Sequence, residues 1–205
     1  FVLWNILGSA KNDSGRILEA SRAFKRVTQL NKNFPDGFNN LGVTLKNQGE
    51  FEEALKAYNC AIALNSKFSE AYNNMGNVFQ LQGKPTEAIE AFEKAISLKP
   101  DYAEAYNNMG IAFQDQGKLE KAVDAYNKAV SLKPTYKDAV KNLVKLPAGR
   151  LNSKLFTLCK SFDFVLSYTS EKSEQVFFQA NLLKHQGQIE RSFEKFCEAN
   201  KMKSE

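Results

Sequence analysis

The sequence predicts an all-α protein, an α-α superhelix in which antiparallel helix pairs stack one after another. Three observations carry that prediction. The word AYNNMG stands at Ala71–Gly76 and again at Ala105–Gly110, with the near copy FNNLG at Phe38–Gly42, and the spacing is 34 residues each time. Such a period holds two short helices and a turn. Two columns of glycine recur in the same register, as does a set of alanines and aromatics at helical spacing, and an apolar content of 43% supplies a continuous core.

Superposing the chain on itself gives four segments, 1–34, 35–68, 69–102 and 103–136, without gaps. In each, a first helix carries a large aromatic in its fourth column, Trp4, Phe38, Tyr72 and Tyr106, expected to fill the core between helices. The seventh column holds Leu7, Leu41, Met75 and Met109, also expected in the core, and the eighth holds Gly8, Gly42, Gly76 and Gly110. A glycine inside a helix costs about 1 kcal/mol relative to alanine, so four in register need a cause, and the expected cause is close approach of a second helix's backbone. Gly15, Gly49, Gly83 and Gly117 mark the turn between the helices, where a left-handed backbone costs glycine least.

The second helix places Ala20, Ala54, Ala88 and Ala122 two turns before Val27, Ala61, Ala95 and Ala129, beside the rings of Phe24, Tyr58, Phe92 and Tyr126. Small residues meet the first helix and rings close the edge of the contact. Pro100 and Pro134 end this helix in the third and fourth segments, since proline cannot continue one. Lys32 and Ser66 occupy that column in the first two, which predicts less sharply defined helix ends there. Each pair leaves open an apolar face that the next pair covers, so the array is a solenoid.

Beyond Tyr136 the pattern weakens. Lys137–Leu146 starts a fifth first helix with Val140 and Leu143 in register, but Val144 replaces the glycine and Pro147 stops the helix early. Residues 137–172 therefore read as a partial helix followed by a helical insert, with a strand through FDFVLSY left open as the alternative. Residues 173–205 read as a divergent closing segment, with Ala180, Gly187, Ser192, Phe196 and Ala199 in the register columns.

The pattern of an aromatic at column four, Leu-Gly at seven and eight, Ala at twenty, an aromatic at twenty-four, Ala at twenty-seven and Pro at thirty-two strongly resembles the tetratricopeptide repeat. The resemblance covers residues 1–136 and implies a right-handed solenoid. It also implies that columns two, five, nine and twelve of the first helices line a concave groove that holds a protein partner. Column five gives Asn5, Asn39, Asn73, Asn107 and Lys141; column nine gives Ser9, Val43, Asn77, Ile111 and Lys145; column six adds Asn40, Asn74, Asn108 and Asn142. An asparagine amide both donates and accepts, so a row of them can hold an extended peptide by its backbone, as in the resembling array of O-linked N-acetylglucosamine transferases. The alternative is structural: one amide of each doublet ties neighbouring repeats together. Lys141 and Lys145, one turn apart, suit an acidic residue or a terminal carboxylate. The family's two-carboxylate clamp needs cations in columns two and six, where this chain has Asp36, Glu70, Glu104, Asp138 and asparagines, so binding of chaperone tails is disfavoured.

Composition limits the other function classes. The net charge of +5 divides over the six segments as +4, −1, −2, 0, +4 and 0. Basic ends around an acidic middle differ from the continuous basic stripe of a nucleic-acid groove, so no nucleic-acid partner is expected. No apolar run reaches the length of a membrane span, and no membrane partner is expected. The three cysteines, Cys60, Cys159 and Cys197, have no metal-type spacing and form no even disulfide set, which points to reduced thiols in a cytoplasmic chain. His185 is the only histidine and falls in an exposed column, and there is no phosphate loop, HExxH or CxxC, so neither catalysis nor a cofactor or metal is expected.

The expected function is thus a scaffold that binds an extended peptide or partner segment. A second reading is an accessory, substrate-recruiting region of a larger transferase. The order of regular repeats, AVKNLVKL at Ala139–Leu146 and then Phe177–Lys203 looks like the repeat region that precedes sulfotransferase domains in bacterial proteins, and the chain opens at Phe1 in mid-pattern, as a piece of a longer protein would. A third is self-association, because Phe1, Val2 and Trp4 open the array with no preceding helix to cover them.

Overall fold

The computed structural model describes residues 1–146 together with Arg191 and Lys195. The described residues are helical, without a strand: α1 (Val2–Asp13), α2 (Ile17–Leu30), α3 (Pro35–Asn47), α4 (Phe51–Leu64), α5 (Ser69–Leu81), α6 (Pro85–Leu98), α7 (Ala103–Asp115), α8 (Leu119–Leu132) and α9 (Lys137–Lys145). The insert proposed for 147–172, the FDFVLSY alternative, most of the closing segment and the stretch that resembles sulfotransferase-linked repeats lie outside them.

The chain forms two compact units, Phe1–Ala112 and Phe113–Glu205. In the first, α1 packs on α2, α3 on α4 and α5 on α6, while α2 packs on α3 and α4 on α5. Each helix therefore touches its partner within the pair, and the second helix of one pair touches the first helix of the next, which is the stacking of a solenoid. Its core gathers Ala20, Phe24, Val27, Leu41, Leu45, Ala54, Ala57, Tyr58 and Val78. In the second unit α8 packs on α9, with Val123, Val130, Val140 and Leu143 buried.

The turns follow from glycine. Gly15, Gly49, Gly83 and Gly117 have φ of +73°, +80°, +70° and +72°, the left-handed region that side chains with a Cβ disfavour. The first helices α1, α3, α5 and α7 close with the same pair of backbone bonds, as at α1, where Gly15 N–H donates to Asn12 C=O at 3.0 Å and Arg16 N–H to Lys11 C=O at 2.8 Å. Glu50 and Lys84 repeat the second bond to Leu45 and Phe79, which satisfies carbonyls that the helix end would leave unpaired.

Four expectations about the helices need correction. The second helices of the first two segments are as sharply ended as those followed by proline: α2, α4, α6 and α8 all stop at the same register position, Leu30, Leu64, Leu98 and Leu132. Where proline is missing, Asn31 Oδ1 accepts from Asn33 N–H at 3.0 Å and Asn65 Oδ1 from Lys67 N–H at 3.1 Å. This local turn does the work of the proline. The glycines within the first helices admit a ring rather than a backbone. A Cβ on Gly8 would lie 2.8 Å from the Phe24 ring, and one on Gly42 or Gly76 would lie 2.5 Å from Tyr58 or Phe92. Tyr58 and Phe92 are fully buried on these glycines, and burying such a ring contributes about 2–3 kcal/mol. The column-four aromatics, by contrast, are not interior: Phe38, Tyr72 and Tyr106 are half-buried and Trp4 is exposed. Met75 and Met109 are likewise only half-buried.

Candidate functional site

The candidate site residues sit on the first helices α1, α3, α5, α7 and α9, and their amides are arranged by the stacking itself. Asn74 Nδ2 donates to Asn39 Oδ1 at 3.0 Å, and Asn108 Nδ2 donates to Asn73 Oδ1 at 3.2 Å. The column-six asparagine of one helix thus reaches back to the column-five asparagine of the helix before it. Asn107 Nδ2 also donates to Asn108 Oδ1 at 3.4 Å. Asn73 and Asn107 are 6% and 3% exposed, whereas Asn39, Asn40, Asn74 and Asn108 are half-buried. An amide this deep must be hydrogen-bonded to offset its lost hydration, and the doublet supplies the partner from within the chain.

At the first junction the ladder is open. Asn5 Oδ1 is buried and finds no hydrogen-bond partner among the described residues, although Asn40 stands in the matching column. Asn40 instead lines a cavity of about 80 Å³ between α1 and α3, together with Ser9, Asn12, Asp13, Phe24 and Val43. Asn12 Oδ1, on the same wall, is also buried without a partner among the described residues. The cavity therefore presents an exposed hydroxyl, a carboxylate and amide oxygens around an apolar floor of Phe24 and Val43. Such a set suits N–H donors on a ligand. Asn12 and Asp13 were not among the candidates named from sequence; column twelve was the signal that reaches the first of them.

Further along, Asn77 is half-buried on α5. Lys141 and Asn142 are half-buried on α9, in the second unit; Lys145 ends that helix, and its side chain lies outside the described residues. Burial lowers the pKa of Lys46, the column-twelve residue of α3. On the opposite side of the helix pairs, Phe38, Leu41, Leu45 and Ala57 form a largely apolar cleft of about 250 Å³ rimmed by Lys25, Glu53, Lys56 and the exposed thiol of Cys60. Among the described residues no cluster of His, Cys, Asp or Glu is suited to a metal ion, and no helix is long and apolar enough to cross a membrane.

Family models agree with the helix pairs and their period. Residues 67–135 and 23–56 each match a tetratricopeptide repeat model and residues 44–83 a TPR repeat model, so the matches run without a gap from 23 to 135. Residues 23–135 are tetratricopeptide repeats. Solved structures share the fold of these repeats. One of MamA is 24% identical over 95% of this chain and 96% of its own, with a TM-score of 0.61, and a second of the MamA protein is 23% identical over 91% of both, at 0.62. Pseudomonas aeruginosa PilF is 16% identical over 98% of this chain and 90% of its own, with a TM-score of 0.76. At these identities the likeness is one of fold, the α-α superhelix of stacked helix pairs. No curated protein sequence matches the chain. Tetratricopeptide repeats typically serve as scaffolds for protein–protein interaction, and residues 23–135 belong to that general class.

Proposed function

We propose that the chain holds an extended segment of a protein partner along the face formed by its first helices, gripping the segment's backbone rather than a particular side chain. The observation that carries this reading is the cavity between α1 and α3, where Asn12 Oδ1 and the neighbouring Asn5 Oδ1 are buried acceptors that the fold leaves without donors. A buried polar atom without a partner costs roughly 1–3 kcal/mol, and the N–H groups of a peptide laid across α1 and α3 supply what is missing. Further along the array, Asn39 and Asn73 already accept from the next helix, so their role is to hold the repeats in register. Contact with the partner then falls to Ser9, Asn40 and Val43 on α1 and α3, and to Asn77 and Ile111 further on. The free thiol of Cys60 fits a cytoplasmic setting.

The test is photo-crosslinking from position 77, further along the same face, in the parent chain and in two variants. Ser9 is exposed, so Ser9→Arg fills the mouth of the cavity without touching the core. The partner captured by the parent chain is expected to be lost from Ser9→Arg and retained by Cys60→Ser on the opposite side. Full retention by Ser9→Arg overturns the proposal.

A further inference from the structure

The apolar cleft of about 250 Å³ on the far side of the helix pairs takes no part in the peptide path proposed above. Its floor is a stripe of α3 in which Phe38, Leu41 and Leu45 follow one another at helical spacing, and α2 and α4 wall it on either side. Leu41 and Leu45 are buried, whereas Phe38 is only half-buried, so the floor offers part of a ring to whatever enters. Column eleven is where this floor departs from the helices that follow: it holds Leu45 in α3 but Phe79 in α5 and Phe113 in α7. Leucine ends short of the space that a phenylalanine ring takes.

The rim of the cleft is basic. Lys25 stands on the α2 wall and Lys56 on the α4 wall, both exposed. Column twenty-five holds Lys25, Asn59 and Glu93, and column twenty-two of the pair that follows each holds Lys56, Glu90 and Asp124. Of these three combinations, the first alone brings two cations together. Lys56 has Glu53 at 3.7 Å, an exposed contact that contributes little, and Lys25 makes no ion pair among the described residues. Arg22 and Arg26 extend the positive field along the exposed face of α2, while the acid of that face, Glu19, is held by Lys11 at 2.6 Å.

We infer that this cleft takes a large aromatic side chain presented on an acidic segment of a protein partner. The ring covers Phe38 and Leu45, and the carboxylates beside it meet Lys25 and Lys56 on the two walls. The chain holds an example of its own: Lys121 Nζ of α8 lies 5.6 Å from the centre of the Phe113 ring of α7, a cation over a ring in columns nineteen and eleven. In the cleft the ring comes from the partner, because Leu45 supplies none. The apolar floor contributes most of the affinity, and the cations select acidic partners over basic ones. A single ring with a few screened charges binds weakly, in the micromolar range. The cleft shares no residue with Ser9, Asn40 or Val43, so it stands independently of the peptide path on the other side.

The probe is a fluorescein-labelled peptide with one phenylalanine between short runs of glutamate, titrated with the whole chain and read by polarisation. The parent is expected to bind it, and Leu45→Phe, which fills the cleft with the residue of α5 and α7, to bind about tenfold more weakly or worse. The double variant Lys25→Glu with Lys56→Glu is expected to lose as much. Both lysines are exposed, so this variant keeps the core intact even if Leu45→Phe disturbs it, and circular dichroism checks each fold. The same reversal at the exposed Lys67 and Lys84, outside the cleft, is expected to retain most of the affinity. A parent that does not bind, a peptide with alanine for phenylalanine that binds as well, a folded Leu45→Phe chain that binds like the parent, or an equal loss from the Lys67 and Lys84 reversal overturns the inference.

Discussion

Val27 and Gly37 share one junction between α2 and α3: a Cβ built on Gly37 would meet Val27 Cγ1 at 2.8 Å and Phe34 Cδ1 at 2.9 Å. At the next junction of the array the corresponding residues are Ala61 and Ala71, both fully buried. Valine with glycine and alanine with alanine fill nearly the same volume, so the two positions compensate each other.

That compensation is measurable as a double-mutant cycle. Gly37→Ala alone is expected to destabilise the chain by about 1–3 kcal/mol through overpacking, and Val27→Ala alone by a similar amount through the cavity it leaves. The double variant reproduces the Ala61–Ala71 junction and is expected to recover most of the loss, with a coupling of about 1 kcal/mol or more. Urea denaturation of the four proteins checks this; additive losses would sink the idea.

Gly42 and Gly49 are expected to respond to alanine for different reasons. Gly42→Ala places a Cβ 2.5 Å from the fully buried ring of Tyr58, which has no room to move, and should cost about 2 kcal/mol or more despite the better helix propensity of alanine. Gly49→Ala meets no atom within 4 Å but keeps a φ of +80°, so it should cost only the backbone strain, about 1 kcal/mol. Thermal melts of the two variants should rank them in that order.

Tyr58 and Tyr126 occupy the same register position with different hydroxyl environments. Tyr126 Oη donates to Gln114 at 3.1 Å, whereas Tyr58 Oη is buried with no partner among the described residues, with Lys46 at the position matching Gln114. Tyr126→Phe is expected to cost about 1 kcal/mol, and Tyr58→Phe to be neutral or stabilising. Lys46→Gln should stabilise by about 1 kcal/mol, because it removes a half-buried ammonium and offers Tyr58 the acceptor that Tyr126 already has.

Burial raises the pKa of both hydroxyls well above the ordinary tyrosine value of 10.0, with Asp115 adding to it at Tyr126. A group whose folded pKa is raised contributes stability below its unfolded pKa and loses it as pH climbs past that value. Stability should therefore be flat in this respect up to about pH 9 and fall above about pH 10. The fall should be shallower in Tyr58→Phe. Denaturation midpoints at pH 8 to 11 test the sign.

The asparagine ladder predicts a ranking as well. Asn108→Ala strips a donor from Asn73 Oδ1, on a residue only 6% exposed, and should cost about 1–2 kcal/mol. Asn74→Ala strips a donor from Asn39, which is half-buried and able to turn to water, and should cost less. Equal losses in chemical denaturation would contradict this account.

Periodicity alone determined the helix pairs of residues 1–136 and their turns, because glycine's freedom at positive φ and the helical spacing of small and aromatic residues are local properties. The 34-residue interval between the AYNNMG words already specified how many helices stand between equivalent positions. What a residue meets across a junction was not legible in the same way. That Gly42 makes room for the ring of Tyr58, and not for a backbone, depends on how two helices lie together in space. The asparagine doublets show the same limit. Their pattern announced a row of amides, and only the stacking decided that Asn74 turns back to Asn39 while Asn5 is left without its donor. Sequence fixes which residues share a face; packing decides what that face touches.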